Sequence, residues 1–236
     1  MDKEAIEKEV RRLQKEIWNA RDVRFRMSGV PDIQTIFDPR NVADHCELFY
    51  EERERLDTDY LGGLGAAGIW QRDRSTILVS TRYSYEIRRF TAVHEIGHYI
   101  IHPGIGDRTL HRELSLDGSR GYRSQTEREA DYFAACLLMP SGWVRTMFEA
   151  RFGTKRPVAL TETVAFHLHA DYGPLFSQPR GSLLFAQLIA RAEKFGGPPF
   201  KSMANYFGVS AKAMAIRLEE LGLVTAYLPA EQGAWV

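Results

Sequence analysis

Two histidines and a glutamate lie together in the segment His94-Glu95-Ile96-Gly97-His98. Side chains four residues apart share one face of a helix, so both imidazoles can point at a single metal ion. Glu95 lies at the edge of that face and can reach a water beside the metal without being a ligand. Zinc brings the pKa of a bound water to about 7, and a carboxylate can take its proton. The spacing therefore predicts metal-assisted hydrolysis, with His94 and His98 as ligands and Glu95 as general base.

Such a site needs a third protein ligand, and the segment Glu127-Arg128-Glu129-Ala130-Asp131 offers one. Glu127 and Asp131 are four apart and share a helix face, whereas Glu129 lies about 200° round from Glu127. We predict Glu127 as the ligand and Asp131 as the acceptor of a histidine N–H. Two alternatives remain at this stage. The histidines could be solvated on a surface helix, and Glu127 could close a capping box that starts at Ser124.

Further residues could approach such a site. His102 repeats the face of the two histidines, but it lies roughly 12 Å along the helix from His94, which predicts a structural or rim position. His111 and Tyr122 are candidates for stabilising an oxyanion. Cys136 lies in an apolar run and is expected in the core. Cys46 is a buried small residue by default, or else an inhibitory thiolate at the open position of the metal.

The elements that must position these residues follow from apolar spacing and turn residues. We predict helices at residues 6–17, 45–56, from Ser84 to about Pro103, and from Ser124 to Met139. Residues 28–39 and 103–124 are expected to be loops, and 68–70 with 76–80 a hairpin, whose Thr76–Ser80 strand forms a sheet edge that a substrate could extend. Beyond Pro140 we predict helices over 181–195 and 200–224, with a helix-turn-helix spacing at Ala204, Gly208 and Met214.

Composition limits the remaining possibilities. Apolar residues make up 44% of the 236 and the net charge is +0, which is typical of a globular protein without a global attraction to nucleic acid or membrane. The charged start, the lack of an 18-residue apolar run and a cysteine count of 2 predict a cytoplasmic protein with no membrane contact. We expect an N-terminal helical segment (1–60), a metallopeptidase core (61–150) and a C-terminal helical region (151–236).

Two long segments resemble the ImmA/IrrE family of bacterial metallopeptidases. One runs from Arg89 to Tyr99, and the other reads Glu-Arg-Glu-Ala-Asp-Tyr-Phe-Ala-Ala-Cys-Leu-Leu-Met-Pro from Glu127 to Pro140. A third, Phe207–Leu223, is similar to the closing helical segment of the family. The resemblance implies an α+β fold: a mostly helical, zincin-like core with a small antiparallel sheet and a C-terminal helix-turn-helix-like segment. It also implies a single zinc ion held by two histidines and one glutamate.

The same resemblance implies a biological role. Members of the family typically cleave a helix-turn-helix transcriptional repressor, which switches on stress, DNA-damage or mobile-element responses. Nucleic acid or another signal could activate such an enzyme, and loop arginines could supply a local basic patch: Arg108, Arg112, Arg120 and Arg123. The alternative function is a DNA-binding or sensor module with a structural or vestigial zinc site.

Overall fold

The structure is a computed structural model that describes residues 2–24, 31–56, 66–104, 110–112, 124–168, 173–179 and 182–225. Contacts divide the chain into two compact units, Met1–Leu138 and Met139–Val236. All the metal-ligand candidates lie in the first unit, together with most of the N-terminal segment that the sequence set apart at 1–60. Among the described residues, no helix combines the length and the apolarity needed to cross a bilayer.

The first unit combines helices with a four-stranded sheet. In chain order its elements are α1 (Lys3–Arg24), α2 (Ile33–Ile36), α3 (Pro39–His45), β1 (Phe49–Arg53), β2 (Gly68–Gln71), β3 (Thr76–Ser80), α4 (Tyr85–Ile101), β4 (Leu110–Arg112) and α5 (Gln125–Leu138). The strand order is β1-β3-β2-β4. β2 pairs with β3 and β4 antiparallel, while β1 pairs with β3 parallel. The α+β expectation is confirmed, and the sheet is mixed rather than antiparallel.

Several local predictions in the first unit are wrong, and capping and pairing explain the differences. The loop expected over 103–124 contains β4, which pairs with β2. Residues 31–39 are not all loop, because Asp32 accepts a hydrogen bond from the Thr35 N–H and starts α2, and Asp38 caps α3 in the same way. No helix forms over 45–56: α3 ends at His45, and the following residues form β1 because β3 offers a strand to pair with. The same pairing makes β3 an interior strand instead of the predicted edge.

The first unit buries the apolar face of α1 as the sequence predicts. Four residues at helical spacing are at most 2% exposed: Ile6, Val10, Leu13 and Ile17. α1 packs on α5, and the Gln14 amide donates to the carbonyl oxygens of Cys136 and Leu137 at 3.0 and 3.3 Å. Carbonyls of a last helical turn have no partner within the helix, so Gln14 completes the end of α5.

The second unit is a set of short helices with one small parallel pairing. Its elements are α6 (Ser141–Phe152), β5 (Val158–Ala159), α7 (Glu162–Leu168), α8 (Gly173–Phe176), α9 (Leu184–Arg191), α10 (Met203–Phe207), α11 (Ala211–Glu220) and β6 (Val224–Thr225). Gly208 ends α10 at a φ of 62°, a left-handed conformation that favours glycine, and the Ser210 side chain caps α11. α10 and α11 thus have the predicted helix-turn-helix spacing.

Candidate active site

The two histidines of α4 face α5 in the interior of the first unit. Each is 1% exposed, and their Nε2 atoms lie 3.1 Å apart. α4 is also closely packed against α5 at Gly97, where an added Cβ would lie 3.0 Å from a ring carbon of Phe133. The glycine between the histidines therefore lets the two helices approach each other at the level of the site.

Glu127 in the first turn of α5 supplies the third donor atom. Its carboxylate oxygen Oε2 lies 3.2 Å from Nε2 of His94, and its other oxygen, Oε1, lies 3.2 Å from Nε2 of His98. These three side chains form a group that could hold a metal ion. One half of the alternative capping box is present, because the Glu127 backbone N–H donates to the Ser124 hydroxyl. The carboxylate itself, however, is at the imidazoles.

Charge at the site is set by burial and by these contacts. Burial raises the pKa of Glu127, but its contacts with His94 and His98 together outweigh burial and hold the pKa well below its usual range. Burial lowers the pKa of His98, against the opposing effect of the Glu127 carboxylate. The site thus combines an ionised Glu127 carboxylate with a His98 imidazole that favours the neutral form, which are the protonation states that metal ligands require.

Glu95 lies in the same turn of α4 and is 0% exposed. β2 passes close to it at Gly68, where a Cβ would lie 2.3 Å from Cγ2 of Thr91 and 3.3 Å from Cγ of Glu95. Only a residue without a side chain allows the strand to run this near the helix. Gly68 was not predicted as a site residue, although its position at the start of a strand was a signal of close backbone approach.

Carboxylates and a further histidine lie behind the two imidazoles. Nδ1 of His94 is 2.9 Å from Oδ1 of Asp131, the residue expected to accept a histidine N–H. Nδ1 of His98 is 3.0 Å from Nδ1 of His102, and Nε2 of His102 is 2.9 Å from Oε2 of Glu129. Burial, followed by the nearby His98, lowers the pKa of His102 to about 4. The contact of His102 and Glu129 with the site was missed by sequence analysis.

Of the remaining candidates, the structure describes the side chains of Cys46 and Cys136, and neither belongs to the group of donor atoms. Within the described residues, the group that could hold a metal does not include Cys46, a half-buried cysteine just after α3 that is not part of a disulfide. Cys136 is buried in α5 as expected. The backbone of His111 pairs with Ile69 in the sheet. Tyr122 lies outside the described residues, and so do Arg108, Arg120 and Arg123; of Arg112 the structure describes the backbone, in β4.

Comparison with known families agrees with this geometry. The family model of peptidase M78, described as the IrrE N-terminal-like domain, matches residues 43–172, more than half of the chain. The match includes α4 and α5 and therefore all three candidate ligands. A comparison with curated protein sequences gave no match.

Proposed function

Since the chain belongs to the IrrE N-terminal-like family of peptidases, we propose that it is a zinc-dependent endopeptidase that cleaves a helix-turn-helix transcriptional repressor. The observation that carries the chemistry is the triangle of donor atoms from His94, His98 and Glu127 beside the buried Glu95. The repressor as substrate, and with it the stress, DNA-damage or mobile-element response, comes from the family resemblance.

The donor set fits zinc. Two imidazoles and one carboxylate are ligands of catalytic zinc sites, which leave a fourth position open. In a tetrahedron with metal–ligand bonds of about 2.0 Å, neighbouring donors lie about 3.3 Å apart. Here the two Nε2 atoms lie 3.1 Å apart, and each is 3.2 Å from a different carboxylate oxygen of Glu127, which is close to this spacing. Calcium prefers six to eight oxygen ligands at longer distances, so this small nitrogen-rich group does not suit it.

In the proposed mechanism Glu95 moves the protons. A zinc ion held by His94, His98 and Glu127 would polarise the peptide carbonyl and lower the pKa of a water, which then attacks as it loses a proton. The Glu95 carboxylate takes a proton from that water and then gives it to the leaving amine, so that the C–N bond breaks without releasing an amide anion. Asp131 holds the His94 imidazole with its Nε2 toward the metal position. The burial of Glu95 excludes bulk water from this transfer.

The substrate strand is assigned to β4 in place of β3. The outer strands of the described sheet are β1 and β4, and of these two β4, with its neighbour β2, packs against α4. An extended segment of the repressor that adds to the free side of β4 gains main-chain hydrogen bonds, as in other cases of strand addition. This places the scissile peptide bond next to the helix that bears the histidines.

Incubation of the protein and zinc with a helix-turn-helix repressor from the same genome tests the proposal. Glu127→Ala is expected to lose zinc, as measured by metal analysis, because only two ligands remain. Glu95→Gln is expected to keep zinc and to cleave about 10²–10⁴-fold more slowly, since the amide cannot accept the proton. A repressor that is cut as fast by the Glu95→Gln protein, or unchanged zinc in Glu127→Ala, contradicts the mechanism.

The alternative function, a DNA-binding or sensor module, is less well supported by α11. Its Arg217 is 4% exposed and donates to the carbonyl oxygen of Met139 at 3.2 Å and to Glu220 at 3.3 Å. This guanidinium is occupied within the protein, so it does not serve phosphate contacts. Titration of duplex and single-stranded DNA at two salt concentrations measures any binding, which must weaken steeply with salt if phosphates carry it. Nucleic acid can be an activating signal only if this titration detects binding.

A further inference from the structure

A line of three imidazoles runs along the buried face of α4 and ends on a carboxylate. His94, His98 and His102 follow each other at four-residue spacing, and successive ring centroids are 4.7 and 5.1 Å apart. Nε2 of His102 is 2.9 Å from Oε2 of Glu129, and the Gln125 amide donates to Oε1 of Glu129 at 2.9 Å. His102 is 5% exposed and Glu129 is 8% exposed.

The position of His98 determines the direction of these hydrogen bonds. If the lone pair of Nε2 faces the metal position, the neutral imidazole carries its proton on Nδ1. That proton is donated to Nδ1 of His102, 3.0 Å away, which must therefore accept it. A neutral His102 then has its own proton on Nε2, and it donates that proton to Glu129. Each donor along the line thus has an acceptor, and only one arrangement of protons satisfies all of them.

The two ligand imidazoles are therefore held by different partners. His94 contacts the Asp131 carboxylate directly, at 2.9 Å, and Asp131 is part-exposed. His98 reaches the Glu129 carboxylate only through a second imidazole. Carboxylate oxygens and imidazole nitrogens buried in a helix interface are costly unless they are paired. Their placement in a continuous line that begins at His98 is unexpected if they serve only to pack α4 on α5.

We propose that His102 and Glu129 are positioning residues that act through His98, fixing the orientation of its ring and strengthening it as a metal ligand. This inference rests on the proposed metallopeptidase function and adds to it a second pair of residues needed for full zinc affinity. Partners of this kind usually change metal affinity or activity by 10–100-fold when removed.

Zinc affinity, measured on the full chain by competition with a chromogenic chelator, tests the inference. His102→Leu removes the acceptor, and we expect zinc to bind roughly 10–100-fold more weakly. His102→Asn places Oδ1 near the former Nδ1 and is expected to recover part of the affinity. Glu129→Gln keeps an acceptor without its charge and should give a smaller loss. Ile101→Ala is the control, because Ile101 is a buried neighbour in the same turn whose apolar side chain makes none of these hydrogen bonds.

A second measurement separates positioning from folding. The visible spectrum of the cobalt-substituted protein reports ligand geometry, and we expect it to change in His102→Leu and to stay as in wild type in Ile101→Ala. Equal losses of zinc affinity in these two variants, or wild-type affinity in both His102→Leu and Glu129→Gln, would overturn the inference while leaving the peptidase proposal intact. A wild-type protein that binds no zinc would instead overturn the proposed function itself.

Discussion

His98 and His102 make the stability of the metal-free protein depend on pH. Burial is the largest cause that lowers both pKa values, for His102 to about 4, whereas histidine in an unfolded chain titrates near 6.5. Between these values the unfolded chain binds more protons than the folded one, so stability falls as the pH is lowered. The contribution is complete above about pH 6.5 and is lost toward pH 4.

Urea unfolding of the chelated protein at pH 7.5 and 5.0 measures this effect. We expect a lower midpoint at pH 5.0, and a smaller difference between the two values in His102→Leu, which lacks one of the titrating groups. At pH 5.0 the carboxylate of Glu127 remains ionised, because its pKa is held below the ordinary value of 4.5. If the urea midpoints of wild type and His102→Leu change equally between pH 7.5 and 5.0, His102 does not contribute to the pH dependence of stability.

Sequence spacing predicts the residues of the site when they share a helix face, and it fails where the partner depends on how helices cross. The four-residue spacing brought His94 and His98 together, and likewise Glu127 and Asp131. Glu129 was correctly directed away from Glu127. Its contact with His102, however, arises only from the packing of α5 along the last turn of α4, which spacing within either helix does not contain.

At the scale of elements, the approach of α4 to α5 depends on Gly97. In Gly97→Ala the new Cβ would lie 3.0 Å from a ring carbon of Phe133, which is 0% exposed and has little room to move. Overpacking of this kind costs about 1–3 kcal/mol, against a gain of up to about 1 kcal/mol from helix propensity. We expect a net loss of stability together with weaker zinc binding, because α5 carries Glu127.

Gly142→Ala provides the matched comparison for Gly97→Ala. Gly142 also lies in a helix, α6, and no atom lies within 4 Å of an added Cβ there. The change should raise the free energy of unfolding by up to about 1 kcal/mol. Denaturant unfolding and chelator competition on both variants check the prediction, which fails if Gly97→Ala is as stable as Gly142→Ala and binds zinc like the wild type.

Helices with regularly spaced apolar residues or clear start and stop residues were predictable from the sequence. Strands that form only because a neighbouring strand pairs with them were not. α4 begins after Ser84 and ends before Pro103, as the sequence indicates. β1 has a polar sequence whose residues alternate between exposed and half-buried, from Phe49 to Arg53. It is a strand because β3 pairs with it in parallel, and the propensity of the segment itself did not reveal this.

At the scale of the first unit, α1 belongs to the catalytic body although the family match begins only at residue 43. Its apolar face packs on α5, so a cavity in α1 removes packing that supports the helix with Glu127. Leu13→Ala should lower the free energy of unfolding by about 2–5 kcal/mol. The exposed Lys15→Ala should change it by no more than about 0.5 kcal/mol.

Denaturant unfolding of both α1 variants, with zinc bound and with zinc removed, checks this prediction. We expect Leu13→Ala to lose more of its zinc affinity than Lys15→Ala, since α5 is less well supported. An unchanged unfolding midpoint in Leu13→Ala would mean that α1 is not part of the cooperative structure around the site.

The candidate metal ligands come from two helices, α4 and α5, and this links metal binding to the stability of the folded chain. An ion shared by α4 and α5 binds only when both are in place, so binding adds directly to the stability of the folded state. A free zinc concentration 100 times the dissociation constant adds about 2.7 kcal/mol. Loss of the metal would therefore lower the stability of the folded chain and shorten its survival in the presence of proteases.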